Sequence, residues 1–496
     1  LNRLKKYKLI ILVILILPIF CICSNAYVTS PGGEVNNAED FVSALGGDDA
    51  AYADGNTIIF RSDVSVETPI IIKSGEYVLQ GSGCYIYSLS PIILDGDDVA
   101  LTLGNDRGSD DHPSLTFEGD GGAAIMVNNG TLNIYSGTLI HGFTTTPITM
   151  TDGTINMIGG VIRENTAENG GAFNIVNGEL NIIQATIKEC SAVNGGAIYS
   201  ENGNITLISP EMSYNKAETD GGIIYMAGGE VLINNGLYQY SEAINGGAIY
   251  NAGGKLNIAG GAYVYNKAMS GGAFYSEGAM VMANAATTLT FNEAINGGAV
   301  YTTGNFELND AQITYNKASE IAGGVYNDGN FIMRSGSISM NDSEGIAGGI
   351  NNSGTFEMYD GSVSSNKAAD LAQGILNNGN IILGDHCFIS FNNDVYVMSG
   401  ATVEVASDLT ANTPVATLTL EDGYVKGTQP VTGHESMAEK IAITGDGKGT
   451  WSLTTDGKLQ FERTPLSLPY QIVIVISAAV VIIIVVIISV RAKKKR

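Results

Sequence analysis

Residues 121 to 396 repeat a unit of about 25 residues eleven times, and a period this regular restricts the chain to an array of identical supersecondary units. Each unit spells a version of GGAIY, then Gly-x-apolar-x-apolar, then an apolar-x-x-Asn segment. The residue after the glycine pair and its small neighbour is apolar throughout, in a column read as Ala124, Ile148, Phe173, Ile198, Ile224 and so on to Ile375. A second column is glycine from Gly130 through Gly153 and Gly178 to Gly379, placed where the chain turns and a positive φ costs glycine nothing extra. Two and four residues after each glycine stand paired apolar columns, from Leu132/Ile134 to Ile381/Leu383. That spacing is period two, so these segments are strands.

A third strand carries Ile162, Ile187, Met212, Tyr238, Tyr263, Leu289, Ile313, Ile338 and Val363. Three residues after each comes Asn165, Cys190, Asn215, Ser241, Asn266, Asn292, Asn316, Asn341 or Asn366. Three short strands and three turns per unit build a coil that stacks each strand on its equivalent in the next coil. The fold class expected is all-β, a right-handed parallel β-helix. At roughly 4.8 Å of rise per coil, eleven coils make a rod about 50 Å long. Propeller blades and leucine-rich horseshoes need longer repeats or a helical segment, and neither is present.

Composition supports a folded rod. Glycine, at 63 of 496 residues, is about twice its usual share, and proline, at 11, is scarce. Nine of the 25 basic residues lie at the two ends, so the middle of the chain sets 16 basic against 50 acidic residues. Phosphate is repelled by such a surface, which excludes nucleic acid as a partner class.

The ends read as export and membrane signals. Residues 1–26 form a signal peptide, with a basic start at 3–8, an apolar stretch at 9–23 and small residues at Ser24 and Ala26. Residues 27–120 are an N-terminal cap with irregular first coils. In it Asn37 caps a short helix bearing Glu39, Asp40, Phe41, Val42 and Leu45, which Gly46 and Gly47 stop. Residues 121–396 are the regular coils, and 397–465 a C-terminal β cap with a hairpin around Asp456-Gly457. A linker at 466–471 leads to the uncharged run 472–490, long enough as a helix to cross a bilayer. The basic tail 491–496 then stays on the cytoplasmic side, giving a single-pass, type I plasma-membrane protein with the rod outside the cell. After signal removal Cys84, Cys190 and Cys387 remain, an odd and widely spaced set that is no disulfide framework, and Cys190, which stands in the Asn column, reads as a structurally buried thiol.

Stacked parallel strands turn every column into a ladder. The position after the Asn column alternates in sign over seven coils, Lys216, Glu242, Lys267, Glu293, Lys317, Asp342 and Lys367, so each charge meets opposite neighbours. The Asn column is expected to hydrogen-bond along itself and to satisfy the turn backbone. A further column, Tyr199, Tyr225, Tyr250, Tyr275, Tyr301 and Tyr326, follows the inward apolar column directly and therefore points outward. Stacking alone explains such a row. It also offers a platform for glycan rings or a partner protein, and these six tyrosines are the candidate binding residues.

No catalytic constellation stands out. The acid-rich stretch Asp95, Asp97, Asp98, Asp106, Asp110, Asp111 and His112 has no EF-hand or glycine-rich nonapeptide spacing, and His112, His141, His386 and His434 share no ligand spacing. No metal and no other cofactor is called for.

At GGAIY in residues 195 to 199 and 246 to 250, with IxxN at 313 to 316 and 338 to 341, the repeats resemble those of polymorphic outer-membrane proteins, marked by GGA[ILV] and FxxN. The resemblance implies a β-helical, adhesin-like surface passenger. Two features depart from that pattern: the Phe of FxxN is mostly Ile, Leu or Val, and one C-terminal apolar segment stands where the family has a barrel. The expected function is thus a non-enzymatic, adhesin-like rod that binds a glycan or protein on another cell. The alternatives are a polysaccharide lyase or glycoside hydrolase, which needs long loops that these even coils lack, and a purely architectural envelope protein.

Overall fold

The computed structural model describes residues 27–104, 113–410, 414–421, 423, 425–445 and 449–463. Over these residues the chain is a parallel β-solenoid of about 15 turns. The coil has three main sheets. Sheet 1 holds the strands after the glycine pair, such as Ile198–Ser200 and Ile224–Met226. Sheet 2 holds the paired apolar columns, such as Asn204–Ile208, and sheet 3 the strands before the Asn column, such as Glu211–Ser213. A minor strip after the Asn turn completes the coil, for instance Lys216–Asp220 and Lys317–Ile321.

Register is the fold's main fact. Ile162 pairs with Ile187, Ile187 with Met212, Met212 with Tyr238 and Tyr238 with Tyr263, each step one repeat. The paired columns hold likewise, with Leu207 on Ile233 and Phe331 on Phe356. These inward columns fill one continuous core in which Ile, Leu, Val and Phe are essentially inaccessible to water. Burying each such side chain contributes about 1.5–3 kcal/mol. Identical residues stack inside as they do outside: Phe306, Phe331 and Phe356 form a run with ring centroids 4.6 and 4.8 Å apart, and Tyr238 lies 4.7 Å from Tyr263.

The structure corrects three sequence expectations. Ile148 pairs with Ile125 rather than Ala124, because one extra small residue follows the first glycine pair. In the glycine column only Gly130, Gly153, Gly178 and Gly229 have positive φ, at 94°, 108°, 91° and 73°. The other members are glycine for space: a Cβ on Gly354 would sit 2.0 Å from the Gly329 carbonyl oxygen, and one on Gly379 2.1 Å from that of Gly354. Residues 397–443 are further coils, since Val395–Val397, Ala416–Leu420 and Ile441–Ile443 extend sheet 1 in register; the cap proper is the antiparallel hairpin Gly449–Leu453 with Leu459–Arg463. At the other end coils begin at Val28, where Val28–Ser30 already pairs with Val64–Val66.

The N-terminal helix is Ala38–Leu45, capped by the Asn37 side chain, which accepts from the Asp40 N–H, and ended at Gly46. Its Phe41 and Leu45 are fully buried over the first coil, with Phe41 edge-on to Tyr77 at 5.4 Å. The expected signal peptide at 1–26 and the expected membrane helix at 472–490 lie outside the described residues. No helix among the described residues is long and apolar enough to cross a membrane.

The Asn column does what its spacing implies. Each Asn Oδ1 accepts from the backbone N–H of the equivalent residue one coil earlier: Asn292 N–H to Asn316, Asn316 N–H to Asn341 and Asn341 N–H to Asn366, at 2.9, 2.9 and 3.0 Å. The Nδ2 groups donate along the same ladder and also to carbonyls of the preceding coil, as Asn316 does to Leu289 at 2.9 Å. The ladder runs on to Asn393, itself fully buried. A second buried ladder, Asn327 to Asn352 to Asn377, lies at the end of the sheet 1 strands, with Nδ2–Oδ1 distances of 2.7 and 2.9 Å.

Asn316→Ala removes the acceptor for two buried Asn292 donors, so destabilisation of roughly 2–5 kcal/mol is expected. Denaturant unfolding checks this, with the exposed Asn305→Ala as a variant that leaves the midpoint unmoved. The three thiols are buried, and burial pushes the Cys190 and Cys387 thiols up to about 12. Neither should react with a thiol reagent at about pH 8 until the rod is unfolded; prompt labelling of the native chain would contradict the packing.

Candidate binding ladders

Sheet 1 strands are three residues long, with the first and last side chains inward and the middle one outward. The middle residue is tyrosine in six successive coils, and the pairing places Tyr199 on Tyr225, Tyr225 on Tyr250, Tyr250 on Tyr275, Tyr275 on Tyr301 and Tyr301 on Tyr326. The structure therefore brings all six sequence-derived candidates into one strip. Ring centroids are 4.5 to 5.3 Å apart and ring planes within 17° of parallel. At that separation parallel rings overlap face to face. Ring faces are thus turned to one another, and the strip offers mainly ring edges and phenol hydroxyls to a partner.

The hydroxyls sit beside carboxylates. Tyr250 donates to Glu277, and Glu201, Asp220, Glu277 and Asp328 all lie near enough to act on the phenols. Burial first raises the pKa values of Tyr199, Tyr225, Tyr250, Tyr275 and Tyr301, and Glu201 beside Tyr199 and Glu277 beside Tyr250 and Tyr275 add to it; Tyr301 is pushed up to about 12 by burial and by its neighbours Tyr326 and Tyr275. The phenols stay protonated donors at any physiological pH. Burial likewise raises Asp220, partly offset by its hydrogen bond from Asn245.

A second aromatic ladder lies at the turn that follows sheet 3. Tyr214, Tyr240, Tyr265, Phe291 and Tyr315 occupy the position just before the buried Asn column, which is Ser241 after Tyr240, with centroids 5.0, 5.1, 5.2 and 5.4 Å apart. Met340 continues the column one coil on. The reading of the repeat passed over these residues because they fall on a variable position of the apolar-x-x-Asn motif; the signal present was the run of aromatics at one repeat position. All six have φ between 54° and 58°. That left-handed conformation costs a non-glycine residue about 1 kcal/mol or more, and asparagine or glycine would hold it more cheaply.

The charge column after the buried Asn is in register from Lys216 to Lys367. Lys216 bridges Glu242 at 3.7 Å and Lys267 bridges Glu293 at 3.0 Å. Lys317 departs from the expected pairing: it reaches Glu344 at 2.5 Å, whose longer arm two residues beyond Asp342 comes closer. These pairs are well exposed and each contributes at most a few tenths of a kcal/mol to about 1 kcal/mol.

Of the acid-rich stretch, Asp106, Asp110, Asp111 and His112 lie outside the described residues. Asp95 bridges Lys73 at 2.5 Å and Asp97 accepts from Asn129. No group of three or more metal-ligating side chains occurs among the described residues. A shallow surface depression gathers Arg334, Glu357, Tyr359, Asp360, Asp385 and His386. Several of its polar groups are already engaged: Arg334 holds Glu307 at 2.8 Å, Tyr359 donates to Glu357 at 2.7 Å, and Ser407 donates to Asp385 at 2.8 Å.

No protein-family model, curated protein or solved structure matches the chain.

A raised folded-state pKa gives a definite pH dependence. An unfolded tyrosine ionises near about pH 10. Below that value both states are protonated and the strip adds no pH dependence; above it the unfolded chain loses protons first, so stability falls as pH rises. Absorbance titration at 295 nm should show Tyr199, Tyr225, Tyr250, Tyr275 and Tyr301 ionising later in the folded chain than in the unfolded one, and the unfolding midpoint should begin to drop only above about pH 10. A midpoint already falling between neutral pH and about pH 9 would contradict the assignment.

Proposed function

We propose that the chain is a non-enzymatic, adhesin-like rod that binds a glycan or protein of another cell through its extended tyrosine strip. The observation that carries this reading is the row of six stacked phenols with its acidic rim, a surface that continues for several coils and has no walls. Stacking accounts for the tyrosines themselves. Stacking gives no reason for Glu201, Asp220, Glu277 and Asp328 to crowd the hydroxyls, where each carboxylate adds unfavourable charge to a negative rod.

A row of donors and acceptors at coil spacing suits an elongated, hydroxyl-rich or basic partner, and the negative rim turns acidic chains away. The even length of the coils supports the non-enzymatic half of the reading, since a depolymerising site needs loops that enclose the substrate. A surface location, with residues 1–26 as export signal and 472–490 as anchor, rests on their apolar sequence, and the adhesin-like character rests on the resemblance of the repeats. The right-handed sense of the coil follows the rule for parallel crossovers.

The test is the triple variant Tyr225→Ser, Tyr250→Ser and Tyr275→Ser in the full-length chain, read on a glycan array and on intact cells. Binding to neutral or amino-bearing glycans, or to cells, should fall at least about tenfold, the effect of one to two lost hot-spot contacts. Equal binding by the variant would remove the strip from the function, and release of oligosaccharides from any polysaccharide by the purified chain would remove the non-enzymatic reading.

A further inference from the structure

The turn ladder is unexplained by the fold and by the tyrosine strip on sheet 1. Tyr214, Tyr240, Tyr265, Phe291, Tyr315 and Met340 are 55, 40, 41, 42, 49 and 47% exposed, an unusual concentration of large apolar surface on a rod with few charges. They occupy six successive coils and no others: the same left-handed position is Glu164 and Glu189 before them and Ser365 after them. The backbone conformation therefore does not ask for aromatics. Something that touches them does.

We propose that two copies of this chain pair side by side and antiparallel, turn ladder on turn ladder and charge ladder on charge ladder. Three observations choose a second copy as the occupant. The first is spacing. The rings recur every 5.0 to 5.4 Å, and another coil stack repeats at the same interval, so contacts made in one coil recur in the next.

The second observation is charge. Over the coils that carry the ladder the flanking column reads Lys216, Glu242, Lys267, Glu293, Lys317, Asp342. Reversed against itself it is opposite in sign at every position: Lys216 meets Asp342, Glu242 meets Lys317, and Lys267 meets Glu293. A parallel pair in equal register would set like against like. The third observation is that one two-fold axis, crossing the rods between the coils of Tyr265 and Phe291, serves both columns. It brings Tyr265 to Phe291, Tyr240 to Tyr315 and Tyr214 to Met340, and keeps each column facing its own kind, as an isologous interface requires.

The area is adequate. Six large side chains exposed by two-fifths to a half present roughly 500 Å², and the flanking charges bring each side toward the roughly 800 Å² of a standard interface. The intrachain bridges from Lys216 and Lys267 leave these side chains more than half exposed, so they remain open to the second copy. This pairing is independent of the binding assigned to the tyrosine strip.

The experiment uses the full-length chain carrying two different tags, each version expressed separately, purified in detergent, mixed and recovered through one tag, since antiparallel rods place their C-terminal segments at opposite ends. An acidic version carries Lys216→Glu, Lys267→Glu and Lys317→Glu; a basic version carries Glu242→Lys, Glu293→Lys and Asp342→Lys. Wild-type copies should co-purify. Each charge version should lose self-pairing at least tenfold, and acidic with basic should pair as well as wild type, which also shows that both versions fold. Tyr240→Ser with Tyr265→Ser and Tyr315→Ser should lose pairing with an unchanged circular dichroism spectrum. The proposal is overturned if wild-type chain sediments as a monomer at about 100 µM, where a micromolar Kd is saturated, or if the acidic version pairs with itself as well as with the basic one.

Discussion

Everything in this molecule depends on coils stacking in register, and the buried asparagine ladder is the interaction that enforces it. Hydrophobic columns of Ile, Leu and Val favour burial but tolerate sliding, because apolar contact has no direction. An amide is directional. Each Asn ties its Oδ1 to a backbone N–H and its Nδ2 to a backbone carbonyl of the preceding coil, and its Nδ2 also to the Asn side chain of the following one, so a coil displaced by one residue leaves buried polar groups unpaired. Where Cys190 and Ser241 replace Asn the backbone bonds continue, from Cys190 N–H to Asn215 and from Ser241 N–H to Asn266, both at 3.1 Å. The ladder thus tolerates a small polar or soft residue in single coils while its neighbours keep the amide.

Once register is fixed, surface chemistry becomes one-dimensional. A residue chosen in one coil sits about 5 Å from the residue chosen in the next, and six such choices make a strip without any loop being built. This is why the six tyrosines lie in one row, why the charge column alternates, and why a single substitution in either should have a modest effect while a triple one has a large effect.

Most of the rod was legible in the sequence because its period exposes the columns, and within the regular coils inward and outward positions follow from alternation alone. The misreadings share a physical origin. Ile125 rather than Ala124 stands in the apolar column because a small residue is inserted after the first glycine pair, which a count starting at that pair does not register. Positive φ explains only part of the glycine column, since Gly354 and Gly379 lack a side chain because the preceding coil's carbonyl lies where a Cβ would be, a contact between residues one repeat apart. Residues 397–443 looked like a separate cap since the motif letters fade there, although strand pairing does not. The turn ladder was overlooked because motif reading discards variable positions, and Tyr214, Tyr240 and Tyr265 stand on one.

The two aromatic ladders bear differently on function for energetic reasons. Tyrosine on an exposed strand is favourable in itself: sheets prefer aromatic residues, and the stack contributes roughly 0.5–1.5 kcal/mol per pair. The sheet 1 strip therefore owes its functional weight to the carboxylates beside it rather than to the rings. At the turn the balance is reversed. There the backbone must enter the left-handed region before each buried Asn, and side chains with a Cβ are the costly choice. Ring stacking offsets part of that cost but cannot be its purpose, since Glu164, Glu189 and Ser365 make the same turn without it. The turn is thus made at the same backbone cost by Glu164, Glu189 and Ser365, and the five successive coils that carry aromatic residues there place exposed ring surface where the fold does not require it, which is the ground for the proposed pairing.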